Sequence, residues 1–571
     1  MKPTPVLPNA DPTLQTILDR LAGHAGLSQT RKRDLRSAVT CFARLLGQPP
    51  AAIPLALADI RRVLDSMVPA RAQISRKRWA NLRSDLAAAI EASGLRPMLK
   101  TSDVELDEVW TRLLATAERR VRLGLGRFAA WASLRGITPE AVDASTIARF
   151  GAELEGATLI RNLAYLPRAV AKGWNALVAH HPAAGLQPVA VPTDARTRSQ
   201  MAWQRLPGSF QEDVERHLAW AAVPDPLADG ARTRALASHS LHLRRTHIHS
   251  AVSAAAAAGV PLDQIETLAS LVEPENFKTV LRHLLQQKGC KLSAYTHGIA
   301  VTLIAIASEW VRAPADTITN LKALRSKLGA LPSGLTDKNQ SLLRQFEDPR
   351  LIADLNQLPD RLWHTARRGV ATSRRSFIDL QMALAIDLLL HFGLRMQNLA
   401  SMRFEQHLHW PQGRRKPALL TFRSDETKND IVLEFEVPTV LAERLQVYRH
   451  EIAPAVIGER PDWVFVSSTG RPKTQDAIAV AIAKTILRYL GVKITPHQFR
   501  HLLAKFHLEA NPGAYELVRQ LLGHRNLSTT TEFYAGIDTR RAGRAHAELV
   551  MKLRESKLSL ASRRTSPPRK D

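Results

Sequence analysis

Apolar positions in residues 1–350 recur at three- and four-residue steps, in stretches rich in Ala, Leu and Arg that Pro and Gly interrupt. That period marks amphipathic helices, and the alternation that would mark strands is scarce, so this part reads as mostly α. Further on, SRRSFIDLQMALAIDLLLHFGLR keeps helical spacing until a glycine stops it, which leaves Arg395 at the entry of a loop. Next, ALLTFRSDETKNDIVLEFEVP alternates apolar and polar residues on either side of a polar turn and predicts a β-hairpin. The pattern as a whole predicts a mainly α protein whose C-terminal part is α+β, with a small hairpin or sheet.

At 571 residues the chain exceeds what one core serves, and about three or four domains are expected. A period of about 86 residues sets Arg33–Phe42, Ile60 and Asn81–Arg83 against Arg122–Phe128, Ile147 and Asn162–Arg168. A third basic helix followed by a Pro-led helix stands in SLHLRRTHIHSAVSAAAAAGVPLDQIETLASLV. Ala-rich helices with no common origin would align about as well, so both explanations of the repeat stay open. The expected division is three helical domains at 1–100, 101–195 and 196–335, a linker within 331–350, a further domain at 350–552, and a basic tail at 553–571. From Lys552 to Asp571 there are seven basic residues against two acidic ones, a composition expected to stay disordered until a partner orders it.

Charge narrows the class of partner. With 79 Lys and Arg against 53 Asp and Glu, the formal net charge is +26, which attracts polyanions and makes binding salt-dependent through counterion release. A membrane surface is the other polyanion, yet the sequence has no apolar run of about 18 residues and no signal-peptide hydrophobic region at its start. A cytoplasmic, nucleoid-associated location follows as the expectation. Cys41 and Cys290 are too few for a metal cluster or a disulfide framework and are expected to be buried thiols.

The densest chemistry lies in the last fifth of the chain: His497 and Arg500 in ITPHQFRHLLAKF, His524 in LLGHRNLSTTTEFYAG, and Tyr534 ten residues after His524. Arg395 stands about a hundred residues upstream in HFGLRMQNLASMR. Two guanidiniums, two imidazoles and a phenol suit attack on a phosphodiester by a protein hydroxyl, because planar guanidiniums clamp phosphate oxygens and hold the charge that develops there. Neither a metal nor a cofactor is called for.

These motifs resemble the tyrosine recombinase (phage integrase) family, in which G-L-R lies far upstream of H-x-x-R, L-G-H and a terminal tyrosine. Here that order is Gly393-Leu394-Arg395, His497 to Arg500, Leu522-Gly523-His524 and Tyr534, and the resemblance covers roughly residues 350–552. It implies a catalytic domain preceded by a helical core-binding domain that grips the opposite face of DNA. It also implies that Tyr534 is the nucleophile and that Arg395 and Arg500 clamp the phosphate. His497 would then assist deprotonation, His524 would hydrogen-bond the phosphate, and Lys428 in the hairpin turn would protonate the leaving oxygen, with Lys416 as its rival. His501 reads as structural. The place where many relatives carry the tyrosine holds Phe533 here, and Asn398 and Leu502 replace residues that are often acidic and hydroxylic in relatives.

The function so implied is site-specific DNA recombination through a 3′-phosphotyrosyl intermediate, serving integration, excision or transposition of a mobile element. Partners would be double-stranded recombination sites, a homotetramer on two of them, and partner recombinases. Two alternatives remain from the sequence: DNA relaxation like that of a type IB topoisomerase, and a catalytically silent DNA-binding accessory protein.

Overall fold

The computed structural model describes residues 12–72, 74–96, 99, 101, 104–182, 185–192, 201–223, 235–287, 289–290, 292–331, 334–369, 373–413, 416–528, 530–531, 543 and 546–554. The chain forms two compact units, Met1–Val191 with Ser333–Asp571, and Pro192–Pro332. Helices dominate both, and a three-stranded antiparallel sheet lies in the first.

Two bundles with the same order of α-helices open the first unit, the second carrying an extra 3-10 turn at Leu163–Tyr165 before its last helix. In one, α1 (Leu14–Gly23) and α2 (Gln29–Leu46) lead through a 3-10 turn at Pro50–Ala52 into α3 (Leu57–Ser66) and α4 (Arg76–Ala92). In the other, α5 (Glu108–Ala115) and α6 (Arg119–Leu134) lead through Pro139–Ala141 into α7 (Ala144–Ala157) and α8 (Leu166–His180). Each turn starts on a proline, whose fixed φ suits the first helical position and whose missing N–H leaves nothing unpaired there. Phe42, Ile60 and Leu86 are buried in one core, Phe128, Ile147 and Trp174 in the other. The buried Arg61 of α3 donates from Nη1 to the carbonyls of Glu155 (2.9 Å) and Thr158 (2.8 Å). Those carbonyls end α7, where no helical N–H reaches them, so one guanidinium joins the bundles and caps a helix.

The second unit repeats the order of helix, long helix, 3-10 turn and two helices. Here α9 (Gly208–Ala222) and α10 (Ser238–Ala257) precede a turn at Leu262–Gln264, then α11 (Leu268–Val272), α12 (Pro274–Gln286), α13 (Ala294–Glu309) and α14 (Ala315–Ser326) follow. Phe210, Ile248, Phe277 and Leu303 are wholly buried in its core. The buried carboxylate of Asp213 accepts from the Leu268 N–H (2.8 Å), an orphan donor at the start of α11.

The rest of the first unit carries the motifs. It runs α15 (Asp337–Gln345), α16 (Pro349–Arg367), α17 (Arg374–Phe392), α18 (Met396–Ser401), α19 (Phe404–His407), β1 (Leu408–His409), β2 (Ala418–Phe422) and β3 (Leu433–Val437). Then come α20 (Thr439–Val447), α21 (Ala453–Ile457), α22 (Gln475–Leu490), α23 (Pro496–Ala510) and α24 (Tyr515–Leu522). Strands β2 and β3 pair with Leu420 opposite Phe435 and Phe422 opposite Leu433, which turns Ala418, Leu420, Phe422, Leu433 and Val437 to the core. The predicted hairpin is there, and β1 extends it by pairing Leu408 with Leu420. Helix α17 buries nearly all its length and ends at Gly393, whose φ of 52° is left-handed.

Two expectations are corrected. The segment taken as a linker within 331–350 holds α15, capped by Thr336 and followed at once by Asp348 capping α16, and Leu342, Leu343 and Phe346 are core residues. Its Thr, Asp and Pro are helix-starting residues, whose composition overlaps that of a loop. Cys41 is buried as expected, but Cys290 is exposed. It stands with φ of 60° in the left-handed turn that ends α12, its N–H bonded to the Leu285 carbonyl (2.9 Å), which turns the residue to the surface. No helix of the described residues is long and apolar enough to cross a membrane. Among them, no group of three or more His, Cys, Asp or Glu is placed to hold a metal ion.

Candidate active site

Two helices end on glycines at the site, and both predicted clamp arginines are fastened to those ends. Gly393 closes α17, Gly523 closes α24, and both are left-handed, with φ of 52° and 57°. A side chain at either would be strained by that φ and would crowd a leucine side chain. A Cβ on Gly393 would meet Leu522 Cδ2 at 3.2 Å, and one on Gly523 would meet Leu433 Cδ2 at 2.9 Å. Both chain ends therefore approach closely enough to offer their carbonyls to guanidiniums.

Arg500, 5% exposed on α23, donates to the Gly393 carbonyl from Nη1 (2.7 Å) and to the Leu522 carbonyl from Nη2 (2.6 Å). Arg395, half-buried as the residue before α18, donates from Nη2 to the Gly523 carbonyl (3.2 Å). Both guanidiniums are thereby held at the two glycine caps, and burial lowers the Arg395 pKa from its ordinary value without threatening its charge.

The histidines complete the cage. Arg500 Nη2 also donates to His524 Nε2 (3.1 Å), and the other ring nitrogen, Nδ1, lies 3.0 Å from Thr530 Oγ1. This pairing makes His524 a neutral imidazole with its proton on Nδ1. Burial first, then the charges of Arg500, Arg395 and Arg519, lower its pKa to about 4. His497 stands in the first turn of α23, three residues before Arg500 and so on the same side of the helix. Although its ring stays exposed, partial burial and then Arg500, Arg395 and Lys428 lower its pKa too. Lys428 is exposed in the β2–β3 turn, and its charge is the last of those that lower the His497 pKa. Lys416 is exposed ahead of β2, its N–H bonded to the Gly413 carbonyl (3.2 Å).

His501 is buried, its Nε2 accepting from Asn339 Nδ2 (3.2 Å). Asn339 Oδ1 in turn accepts from Gln498 Nε2 (3.0 Å), and Gln498 Oε1 accepts from the Thr495 N–H (2.9 Å). That chain fixes the start of α23 against α15, and the His501 ring packs edge-on to His497 with centroids 5.2 Å apart. Tyr534 and Phe533 lie outside the described residues, as does the tail beyond residue 554.

Two contributors, Asn429 and Thr530, escaped sequence reasoning. Asn429 donates from Nδ2 to the Gly523 carbonyl (2.6 Å), the same oxygen that Arg395 uses. Thr530 is wholly buried beneath His524. Asn398, also buried, donates to the Glu426 carbonyl (3.0 Å) and so ties the hairpin turn to α18. Neighbourhood to Lys428 was the one signal available for Asn429, since its bond spans 94 residues. Leu502 is a core residue.

Comparison with known proteins bears on residues 361–541, which match the model of the phage integrase family. The chain is 28% identical over 214 residues to the tyrosine recombinase XerC of Agrobacterium fabrum, an overlap covering 37% of this chain and 56% of that one. It is 29% identical over 178 residues to XerC of Nitrobacter winogradskyi, covering 31% and 52%. The chain thus spans about half the length of these relatives. Among solved structures, lambda integrase residues 75–356 bound to DNA aligns at 14% identity with a TM-score of 0.34, over 57% of this chain and 96% of that one.

Proposed function

The chain belongs to the phage integrase family of tyrosine recombinases through residues 361–541, and from that membership we propose that it is a site-specific DNA recombinase. The observation that carries this reading is the pair of guanidiniums, Arg395 and Arg500, pinned to the carbonyls of two glycine caps beside His497 and His524. A prepaid arrangement of donors suits a phosphorus centre that gains charge in the transition state, because nothing has to reorganise at that moment.

In the proposed reaction, the Tyr534 oxygen bonds to phosphorus while the bond from phosphorus to the 5′ oxygen breaks. The phenolic proton passes to His497, which partial burial and then its cationic neighbours keep neutral and so able to accept it. The Lys428 ammonium gives a proton to the departing 5′ oxygen, leaving a 3′-phosphotyrosyl link and a 5′-hydroxyl. A 5′-hydroxyl from a partner duplex then reverses these steps, so no external energy source is used. A phosphate oxygen arriving at the cage displaces the Arg500 donor from His524 Nε2, and the anion favours protonation there, which supplies the hydrogen bond assigned to His524.

The recurring helical bundles within residues 14–326 suit a large DNA footprint and support integration, excision or transposition of a mobile element, carried out by a homotetramer on two sites with or without partner recombinases. The helical segments 1–100, 101–195 and 196–335 act as DNA-gripping units ahead of a catalytic domain at 350–552, in a protein that works in the cytoplasm on nucleoid DNA. The test is covalent trapping from a random-sequence library of nicked duplexes. Wild type is expected to give an SDS-resistant protein–DNA adduct enriched in one sequence, and Tyr534→Phe to give none. Absence of any wild-type adduct sinks the proposal, and an adduct that persists in Tyr534→Phe means another nucleophile.

A further inference from the structure

The turn that carries Lys428 is fastened on both sides. Before it, the Thr427 hydroxyl donates to the Ile431 carbonyl (2.7 Å) and accepts from the Ile431 N–H (2.9 Å), which knots the turn internally. After it, Asn429 Nδ2 donates to the Gly523 carbonyl (2.6 Å). Arg525, one residue past His524, donates from Nε to the Asn429 carbonyl (2.7 Å) and from Nη2 to Asp430 Oδ2 (3.1 Å). Asp430 has a φ of 51°, a left-handed conformation that Asp tolerates better than most residues and that aims the chain back toward β3. The Gly523–Arg525 segment therefore touches both the Arg395 guanidinium and the lysine turn.

We propose that Asn429, Asp430 and Arg525 are positioning residues that staple the Lys428 turn to the loop carrying His524, so that the general acid and the phosphate clamp are held in one register. The inference rests on the recombinase reading above and assigns a device within that site. An exposed lysine on a free hairpin turn spends most of its time in solvent, and a proton donor works only within hydrogen-bond reach of the leaving oxygen. Two of the staple's bonds come from one planar guanidinium, which fixes orientation as well as distance.

The experiment compares single-turnover adduct formation on the trapped duplex and on the same duplex with sulfur in place of the bridging 5′ oxygen at the cleaved phosphate. A thiolate leaves without a proton, so loss of general-acid catalysis disappears on the sulfur substrate. Lys428→Ala is expected to lose about 10²-fold on oxygen and little on sulfur. Arg525→Ala and Asn429→Ala should follow it, with about a tenfold loss on oxygen and rates within about threefold of wild type on sulfur. Asp430→Asn, which keeps an acceptor for Arg525 and a side chain suited to that φ, should lose least. Equal losses on both substrates for Arg525→Ala and Asn429→Ala, or no loss on oxygen, overturn the proposal. Failure of wild type on both substrates instead overturns the recombinase reading on which it rests.

Discussion

Arg500 is the residue on which the cage turns, because one buried guanidinium serves two carbonyls and the His524 ring at once. Lysine brings a point charge with no planar fork. Arg500→Lys is expected to leave at least one buried acceptor unpaired and to lower stability by about 1–3 kcal/mol in urea unfolding. On the proposed recombinase reaction, adduct formation should fall by about 10²-fold or more, because Arg500 is assigned there to hold charge at phosphorus. His501 supplies a prediction of another kind. Burial first, then His497, Arg500 and His524, depress its pKa to about 4 in the folded state, against about 6.5 unfolded. Between those values the unfolded chain binds the proton first, so stability is lost as pH falls from about 6.5 toward 4 and is insensitive to this group above 6.5. A loss on the order of 2–3 kcal/mol from this group should accumulate across that window, and His501→Gln should shrink the pH dependence of urea midpoints while leaving the share that the depressed His524 pKa contributes over the same range. Arg395, His497, Arg500 and His524 could be singled out because each sits in a short pattern, and the structure bonds Arg500 to His524 and brings both arginines to the glycine caps. Asn429 and Thr530 could not, because their partners come from chain closure that no local pattern encodes.

Elements explain why the glycines are required and where the reading from sequence fell short. Gly523→Ala must place a methyl 2.9 Å from Leu433 Cδ2 while holding a left-handed φ. It is expected to cost about 1–3 kcal/mol, because the Leu433 side chain or the Gly523 backbone must give at a strained φ, and to slow cleavage through any movement of the carbonyl that accepts from Arg395. Calorimetric melting and adduct rate together check it. An unchanged rate would show that this carbonyl does not orient the clamp. Helix α17 and the β2–β3 hairpin were readable because a strong period ended in an unambiguous stop, glycine in one and a polar turn in the other. Helix α15 was missed because Thr336 at its start and Asp348 with Pro349 just after it are at once good caps and good loop formers. Strand β1, two residues long, exists through its pairing with Leu419 and Leu420 and has no period of its own.

For the whole molecule, the recurrence is clearer in elements than in sequence. Helix, long helix, 3-10 turn and two more helices appear three times, at 14–92, 108–180 and 208–286. The sequence repeat was faint because a bundle core constrains a few apolar positions, such as Phe42 and Phe128 or Ile60 and Ile147, and leaves most others free. A chain of +26 is expected to bind its duplex with log K falling linearly in log salt, by about 0.9 per phosphate neutralised. Filter binding across salt concentrations measures that slope, and a flat dependence would exclude backbone contacts as the main source of affinity. The cysteine pattern offers an unplanned convenience. One of the chain's two thiols lies open at the end of α12 and the other is enclosed in the first bundle. A maleimide dye will thus attach to the native protein at a single address, and, without any engineered mutation, energy transfer to a labelled duplex can test whether the second unit approaches DNA.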